Sequence, residues 1–233
     1  MDDLPSIMKA IDWNENIDAA FADPDSLAKL EQALMRIAVW AKQLETADAG
    51  NPALCFVREM QVAAHQGAAL LGLCIYKASA SSARTLLETC LYYTFFRTHR
   101  DELATLVRVS KYYISKGEVL DFHKLHTPDF ADAQNVFGLV GALDQWYSSV
   151  SAVVHGQIPG AWNAHSAISE IAFSKNTHAL ALDSLLMAEE LTHQMLLCSS
   201  GRQLWNAFAP DAKAYLIKGL AGEKRDRLGL DAR

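Results

Sequence analysis

Two charged residues, Arg84 and Glu88, stand four positions apart within a long apolar stretch. On a helix this spacing places both on one face, and Tyr92 continues the same face one turn later. An ionised carboxylate in apolar surroundings must be paired or hydrogen-bonded, because an unpaired buried charge costs several kcal/mol. The two residues therefore form either a buried ion pair that ties their helix to a neighbour or the polar lining of a cleft.

A second polar set, Tyr147, Ser151 and His155, repeats every four residues and ends at Gly156. We expect these three side chains on one helix face, with Asp144 on its flank. A histidine in the last turn meets the negative end of the helix dipole, which favours its protonated form and suits acid–base work or phosphate binding. The alternative is a histidine that only caps its helix. A nucleophilic Ser151–His155 pair has poor geometry, because side chains on one helix run parallel.

Two weaker sets contain histidine. His123 and His126 are spaced so that they could share a metal, but no third ligand is fixed by spacing and Lys124 lies between them. An exposed loop or helix end is the simpler interpretation, and we expect neither a bound metal nor a cofactor. Arg58 and His65 lie seven positions apart, nearly two turns along one helix face. The simpler interpretation of this pair is an exposed arginine and a histidine at the edge of the core.

Charge is distributed unevenly along the chain. The first 50 residues hold ten Asp and Glu against four Lys and Arg, which accounts for the whole net charge of −6. Two later segments are basic, one containing Arg97, Arg100, Arg108 and Lys111 and the other spanning residues 213–227. Either segment could contact the phosphates of RNA, and the alternative is a solvated helix face.

Composition limits the class of protein. Of 233 residues, 51% are hydrophobic and 21% charged, which excludes intrinsic disorder as the main state. Only 12 glycines and 6 prolines disfavour an all-β fold with many tight turns. The N-terminus Met1-Asp2-Asp3 lacks the cationic region of a secretory signal, and no apolar stretch reaches membrane length. The four cysteines are widely separated, as in a reducing compartment. We therefore predict a cytoplasmic protein without membrane contact.

Helical periodicity dominates the chain and predicts an all-α antiparallel helical bundle. We expect a short acidic N-terminal helical extension at residues 1–22 and a single helical-bundle domain at residues 23–233. The first long helix should start at Asp23-Pro24, where a capping oxygen precedes an early proline. A connection is expected at residues 79–82, a stop at Gly117 and a break near Gly141. The later helices are predicted at residues 52–77, 83–97, 101–116, 136–155 and 176–198, and from residue 210 onward.

Two segments together resemble one protein family. Ala83-Arg84-Thr85-Leu86-Leu87-Glu88 resembles the "RxLLE" stretch of bacterial HEPN-like helical proteins, and residues 147–156 resemble their later "YxxxSxxxHG" segment. The resemblance covers roughly residues 55–200. It implies an antiparallel helical bundle, often dimeric, of the kind found in antiviral or toxin-like systems. Catalytic members are metal-independent ribonucleases with an Arg-x(4–6)-His motif, whose Arg and His face each other across a dimer.

The chain departs from that catalytic motif. No arginine stands at the required spacing before His155, and the one stretch that fits, Arg58 to His65, lies on an early helix. The pair Arg58 and His65 is therefore kept as an alternative catalytic pair. A divergent site would instead place Arg84 against His155.

Three functional hypotheses follow. In the first, the protein binds or cleaves RNA or a nucleotide through Arg84, Glu88, Tyr147, Ser151 and His155, with His155 as acid–base and Arg84 stabilising the charged phosphorane. In the second, the same residues form a buried polar network in a non-catalytic, dimerising interaction module that holds a partner protein. The third is a metal-dependent bundle enzyme using His123, His126 and a further histidine. If the motif residues line an open cleft, the first hypothesis is favoured, and if they are completely buried and hydrogen-bonded to one another, the second is favoured.

Overall fold

The computed structural model of the protein describes residues 3–158, 160, 162 and 165–230, with the backbone alone at 202 and 203. In this part of the chain the structure contains thirteen α-helices and no β-strand, so the prediction of an all-α bundle is confirmed. Met1 and Asp2 of the expected N-terminal extension, Pro159 of the later loop and residues 231–233 lie outside the described residues.

The helices follow one another with short connections, apart from a longer loop before α10. The first six are α1 (Leu4–Ala10), α2 (Trp13–Ala20), α3 (Pro24–Ala47), α4 (Leu54–Gly72), α5 (Tyr76–Phe96) and α6 (Arg100–Arg108). The remaining seven are α7 (Lys116–His126), α8 (Phe130–Phe137), α9 (Leu139–Val154), α10 (Lys175–Ser199), α11 (Gly201–Ala207), α12 (Pro210–Leu216) and α13 (Gly222–Leu228).

Helix α5 lies at the centre of the bundle, as its apolar sequence predicts. It packs against α4, α10, α9, α7 and α6, and its side chains are buried around most of its circumference. Leu86, Leu87, Cys90 and Phe96 are fully buried, which is expected for a helix that is apolar on nearly every side. Arg84 and Glu88 occupy the face that turns toward α9. The core thus fixes the helix that carries the candidate site.

The break between α4 and α5 lies earlier than predicted. The chain turns at residues 73–75, where Cys74 adopts a left-handed backbone with φ +59°, and the expected connection at 79–82 is helical. The small residues misread as a connection instead allow α4 and α5 to pack closely. Ser79 donates its hydroxyl to the Gly67 carbonyl at 2.8 Å across the helix pair. A serine satisfied in this way does not compete with its own helix.

The boundary between α6 and α7 is also different from the prediction. Helix α6 ends at Arg108, residues 109–115 form a non-helical connection, and α7 begins at Lys116. Ser115 and Glu118 form a capping box, in which each side chain accepts a hydrogen bond from the backbone N–H of the other. Gly117 therefore lies in the first turn of α7 rather than ending a helix.

Two further boundaries were misjudged. Gly138, with φ +67°, separates α8 from α9, whereas Gly141 lies inside α9. Helices α8 and α11 were not predicted, nor was α7 beyond its first residue. The Asp23 cap of α3 is as expected, since its carboxylate accepts the Ser26 N–H at 3.1 Å. None of the helices in the described part of the chain is long and apolar enough to cross a membrane.

Candidate functional site

Four residues of the predicted set meet where α5 packs against α9. The Arg84 guanidinium donates through Nε to Glu88 Oε1 at 2.9 Å and through Nη2 to the Tyr147 hydroxyl at 2.7 Å. Its Nη1 lies 2.8 Å from His155 Nε2. Arg84 and Glu88 are one helical turn apart on α5, while Tyr147 lies in the middle of α9 and His155 caps its C-terminal end. Side chains from both helices thus contact the guanidinium of Arg84.

The contact with Arg84 sets the hydrogen-bonding role of one ring nitrogen of His155. An arginine carries only donors, so Nε2 of His155 is the acceptor in this contact. Tyr147 accepts from Arg84 and donates to Glu88 Oε1 at 2.5 Å. His155 is therefore a base whose lone pair is held by Arg84.

The cluster is open to solvent rather than buried. The Arg84 side chain is 21% exposed and that of Glu88 36%, while His155 is exposed. Burial lowers the pKa of Arg84, but Glu88 and Tyr147 outweigh it and raise this pKa above its ordinary value. Burial and the hydrogen bond to Glu88 raise the pKa of Tyr147 to about 12. Arg84 is thus a permanent cation and Tyr147 stays a phenol near neutral pH.

A cleft of about 460 Å³ adjoins the cluster. One wall of the cleft is formed by α5 and by Tyr147 of α9. The facing wall is the connection that leads into α7 and the first turn of that helix, with Tyr113 and Lys116. Lys116 pairs with Asp144, and its ammonium lies 5.1 Å from the centre of the Tyr147 ring. The cleft therefore combines two cations with aromatic surface. Its lining residues are Arg84, Glu88, Leu91, Tyr92, Tyr113, Ile114, Ser115, Lys116, Gly117, Val119 and Tyr147.

Arg84 retains capacity for a ligand. A guanidinium has five N–H donors, and the contacts with Glu88, Tyr147 and His155 use three of them. Two donors remain on a side chain that lines the cleft. Guanidinium groups match the oxygens of phosphate with paired hydrogen bonds, and Lys116 adds a second positive charge nearby.

Ser151 does not join the cluster. Its hydroxyl is buried and has no hydrogen-bond partner among the described residues. It makes no hydrogen bond to His155, so the geometry gives no support to a Ser–His nucleophile pair. The structure brings together Arg84, Glu88, Tyr147 and His155 and leaves Ser151 beside them.

The predicted RNA-contacting residues fall into two groups. Arg97 lies at the far end of α5 from Arg84, 3.6 Å from Asp48 Oδ2 and only 21% exposed, where it helps join α5 to the end of α3. Arg100, Arg108 and Lys111 are exposed. Lys111 belongs to the connection whose residues 113–115 line the cleft. Arg97 is thus held in the fold, and the other three remain available to a ligand.

The alternative catalytic pair lies elsewhere. Arg58 and His65 are both exposed on α4, and neither lines the cleft. Arg58 forms a solvent-exposed ion pair with Glu45 of α3 at 3.0 Å. The structure does not bring Arg58 and His65 to the cleft that Arg84 lines.

The two histidines considered for metal binding face different surroundings. His123 is buried, and its ring nitrogens lie 3.0 Å from the Thr94 hydroxyl and 2.7 Å from the Thr127 hydroxyl. Burial, together with Arg97 and His99, lowers the pKa of His123 to about 4, so its ring is neutral. His126 is exposed. The described residues contain no group of three His, Cys, Asp or Glu that could hold a metal, and His123 acts in the core rather than as a ligand.

A second arginine–glutamate cluster was missed in the sequence. Arg36 of α3 donates through Nε to Glu189 Oε1 at 2.7 Å, and its Nη2 contacts both Glu189 and Glu190 of α10. Burial raises the pKa of Glu189 to about 7, although Arg36 opposes this shift. Nearby, Trp40 donates to Nδ1 of the buried His193 at 2.9 Å. The available signal was a carboxylate at an apolar position of an amphipathic helix.

The chemistry open to the α5–α9 cleft follows from these contacts. Arg84 and Lys116 line the cleft and can hold an anion, and the tyrosine rings can contact a flat apolar group. His155 is not among the lining residues, but it lies 2.8 Å from Arg84 and can take a proton once a ligand displaces Arg84 from Nε2. In comparisons with known proteins, no family model, no curated protein and no solved structure matches this chain.

Proposed function

We propose that the cleft between α5 and α9 binds RNA or a nucleotide through its phosphate and that Arg84 and His155 cleave the phosphodiester without a metal. One observation carries this proposal: a guanidinium with two uncommitted donors lines an open cleft and lies 2.8 Å from Nε2 of a histidine. The resemblance to HEPN-like ribonucleases supports the same assignment, with a role in a bacterial defence or toxin-type system. A cytoplasmic location belongs to this proposal.

The reaction is internal transfer at phosphorus. Phosphate oxygens bind the two free donors of Arg84 and draw the guanidinium away from Nε2 of His155, and Nε2 then accepts the proton of the ribose 2′-hydroxyl. The 2′-oxygen forms a bond to phosphorus while the bond from phosphorus to the 5′-oxygen breaks. Arg84 stabilises the phosphorane charge, and His155 returns its proton to the departing oxygen. The products are a 2′,3′-cyclic phosphate and a 5′-hydroxyl.

A homodimer is part of the resemblance, but the chemistry proposed here does not depend on it. In catalytic members of the family, Arg and His approach each other from two protomers, whereas Arg84 and His155 are hydrogen-bonded within one chain. A second copy would add binding surface rather than complete the pair.

One observation favours a second candidate, the non-catalytic interaction module. Arg84 is already hydrogen-bonded to three partners of its own chain, as in a network whose task is to fix α5 against α9. In that case the cluster stabilises the fold, and the protein dimerises or holds a partner protein through another surface.

The experiment is cleavage of a labelled single-stranded RNA library by the purified protein, with products separated by gel and tested for cyclic phosphate. We expect His155→Ala to lower the rate at least about 100-fold. Arg84→Ala should lower it by about 100-fold to 1,000-fold through the lost phosphorane contact. A chelator should leave the rate unchanged. Each variant is first checked for native helicity by circular dichroism.

The matched control is His65→Ala, which removes an exposed histidine that lies outside the cleft. This variant should cleave at the wild-type rate. Loss of cleavage in His65→Ala with full activity in His155→Ala would move the catalytic pair to α4. A wild-type protein that neither binds nor cleaves any RNA or nucleotide would favour the interaction module.

A further inference from the structure

A second concave surface lies at the N-terminal side of the bundle, where α2, α3 and α4 meet. It has a volume of about 400 Å³, and we call it the apolar groove. One charged side chain, Glu31, is among the residues that line it. The larger apolar side chains come from the end of α2 and from one face of α3, and they are Ile17, Phe21, Leu27, Leu30 and Leu34.

The opposite wall of the groove is built from small residues of α4. Ala68, Ala69 and Gly72 leave the helix backbone close to the surface. A Cβ at Gly72 would lie only 2.7 Å from Cε2 of Phe21, so the Phe21 ring packs directly against this helix. The groove is thus a wide depression with a fixed floor, rather than a gap left by mobile side chains.

The groove leaves apolar surface in contact with water. Ile17 is 37% exposed, and Leu27 and Leu34 are only half-buried although Leu30 of the same helix is buried. A contiguous apolar patch with a polar rim is typical of a surface that binds another molecule. A depression between helices with this lining fits the apolar face of an amphipathic helix.

The charge around the groove selects the kind of helix. Glu31 lies in its wall, and the exposed Asp18 follows Ile17 on the same short helix. Both belong to the first 50 residues, which carry the whole net charge of −6. We propose that the apolar groove binds a basic amphipathic helix of a partner protein, with apolar side chains in the groove and Lys or Arg facing Glu31 and Asp18.

Two other occupants fit this charge less well. A symmetric dimer through the groove would place the acidic segment of one copy against that of the other, and like charges in close contact oppose association. An anionic membrane surface would repel the same carboxylates. The groove shares no lining residue with the α5–α9 cleft, so this proposal does not depend on the proposed nuclease activity.

The probe is a fluorescent synthetic helix with Leu spaced to form one apolar face and Lys elsewhere. Fluorescence anisotropy should show saturable binding to the wild-type chain and at least about 10-fold weaker binding to Ile17→Glu. This variant loses one apolar contact and places a charge in the apolar groove. Glu31→Lys should weaken binding several-fold at low salt, with the difference shrinking as salt rises. Both changed side chains lie at the surface, and retained helicity confirms folding.

The matched control is Leu180→Glu, which places the same charge at a 55% exposed leucine of α10 outside the groove. It should bind the probe like the wild type. The proposal is overturned by an absence of saturable binding, by equal loss in Leu180→Glu, or by equal affinity for a peptide with Glu in place of Lys. Sedimentation as a dimer that Ile17→Glu dissociates would identify a second copy as the occupant, and binding to anionic vesicles lost in Ile17→Glu would identify a membrane.

Discussion

The two arginine–glutamate clusters of this bundle use the same chemistry in opposite surroundings. Arg84 and Glu88 meet on α5 at the edge of a cleft, and the Glu88 side chain is 36% exposed. Arg36 and Glu189 meet between α3 and α10, where the Glu189 side chain is only 5% exposed. Water can solvate Glu88 if Arg84 is removed, which lowers the free-energy cost of breaking that pair. The buried Glu189 carboxylate has no such replacement and needs Arg36. The two arginines are almost equally exposed, at 22% and 21%, and both line a cavity, so the clusters differ in the burial of the glutamate.

The buried cluster should give the largest change in stability. Arg36→Ala leaves the Glu189 carboxylate without its two hydrogen bonds in a nearly dry site. We expect a loss of about 3–5 kcal/mol in the free energy of unfolding at pH 8, where Glu189 is ionised. Urea unfolding measures it, with Arg58→Ala as the exposed control at under about 1 kcal/mol. Equal losses in both variants would show that burial does not separate the clusters.

The second largest effect concerns pH. The Glu189 carboxyl has an ordinary pKa of 4.5 when unfolded, whereas burial raises its native pKa to about 7. Between these values the native state binds more protons, so its contribution to stability is lost as pH rises from about 4.5 to about 7. Glutamine does not titrate, so the free energy of unfolding of Glu189→Gln should rise by about 1–3 kcal/mol relative to that of the wild type as pH increases across this range. A difference that is independent of pH would contradict the raised pKa.

At the open cluster, Glu88→Ala should cost only about 1 kcal/mol. The variant removes one ion pair and one hydrogen bond, but Arg84 keeps Tyr147 and His155 and remains accessible to water. The apolar sequence around Glu88 had also allowed a buried pair, for which the loss would be several-fold larger. Thermal unfolding of the purified variant decides between the two, since a loss near that of Arg36→Ala would place Glu88 in the core.

The smallest change is expected for His155→Ala. His155 is exposed at the end of α9, so its removal should alter the free energy of unfolding by less than about 0.5 kcal/mol. Together with a large loss of RNA cleavage, this result would separate chemistry from folding at one residue. A clear loss of stability would instead assign His155 to the fixing of α9 against α5.

Local patterns in the sequence predicted the parts of the site that lie on one helix. The spacing from Arg84 to Glu88 and that from Tyr147 to His155 each define one face, because helical geometry relates residues four apart. The all-apolar sequence of α5 likewise predicted its central position. The meeting of the two faces was expected only from the resemblance, in which a divergent site places Arg84 against His155, and no local pattern contains it.

Long-range contacts decided what local patterns could not. The hydrogen bond of His155 joins it to Arg84, 71 residues earlier, a contact that the pattern of α9 alone does not contain. Arg36 and Glu189 are 153 residues apart, so neither residue identifies the other in the sequence. The glycine at the turn, Gly72, ends α4, but it belongs to an Ala-, Gly- and Leu-rich stretch that reads as continuous helix. Packing of α4 against α5 accompanies the left-handed backbone of Cys74. The capping box at Ser115 and Glu118, by contrast, was readable and was missed.

The two walls of the α5–α9 cleft differ in how they hold their backbone. Helices α5 and α9 carry continuous hydrogen bonds, whereas in residues 109–115 the described bonds are those donated by the Val109, Tyr112 and Ser115 amides. Ile114 is the buried side chain of this wall and Tyr113 is 70% exposed. Such a segment opens at a small fraction of the free energy of global unfolding. Amide hydrogen exchange should therefore be fastest in this wall, and its opening sets how quickly a ligand enters and leaves.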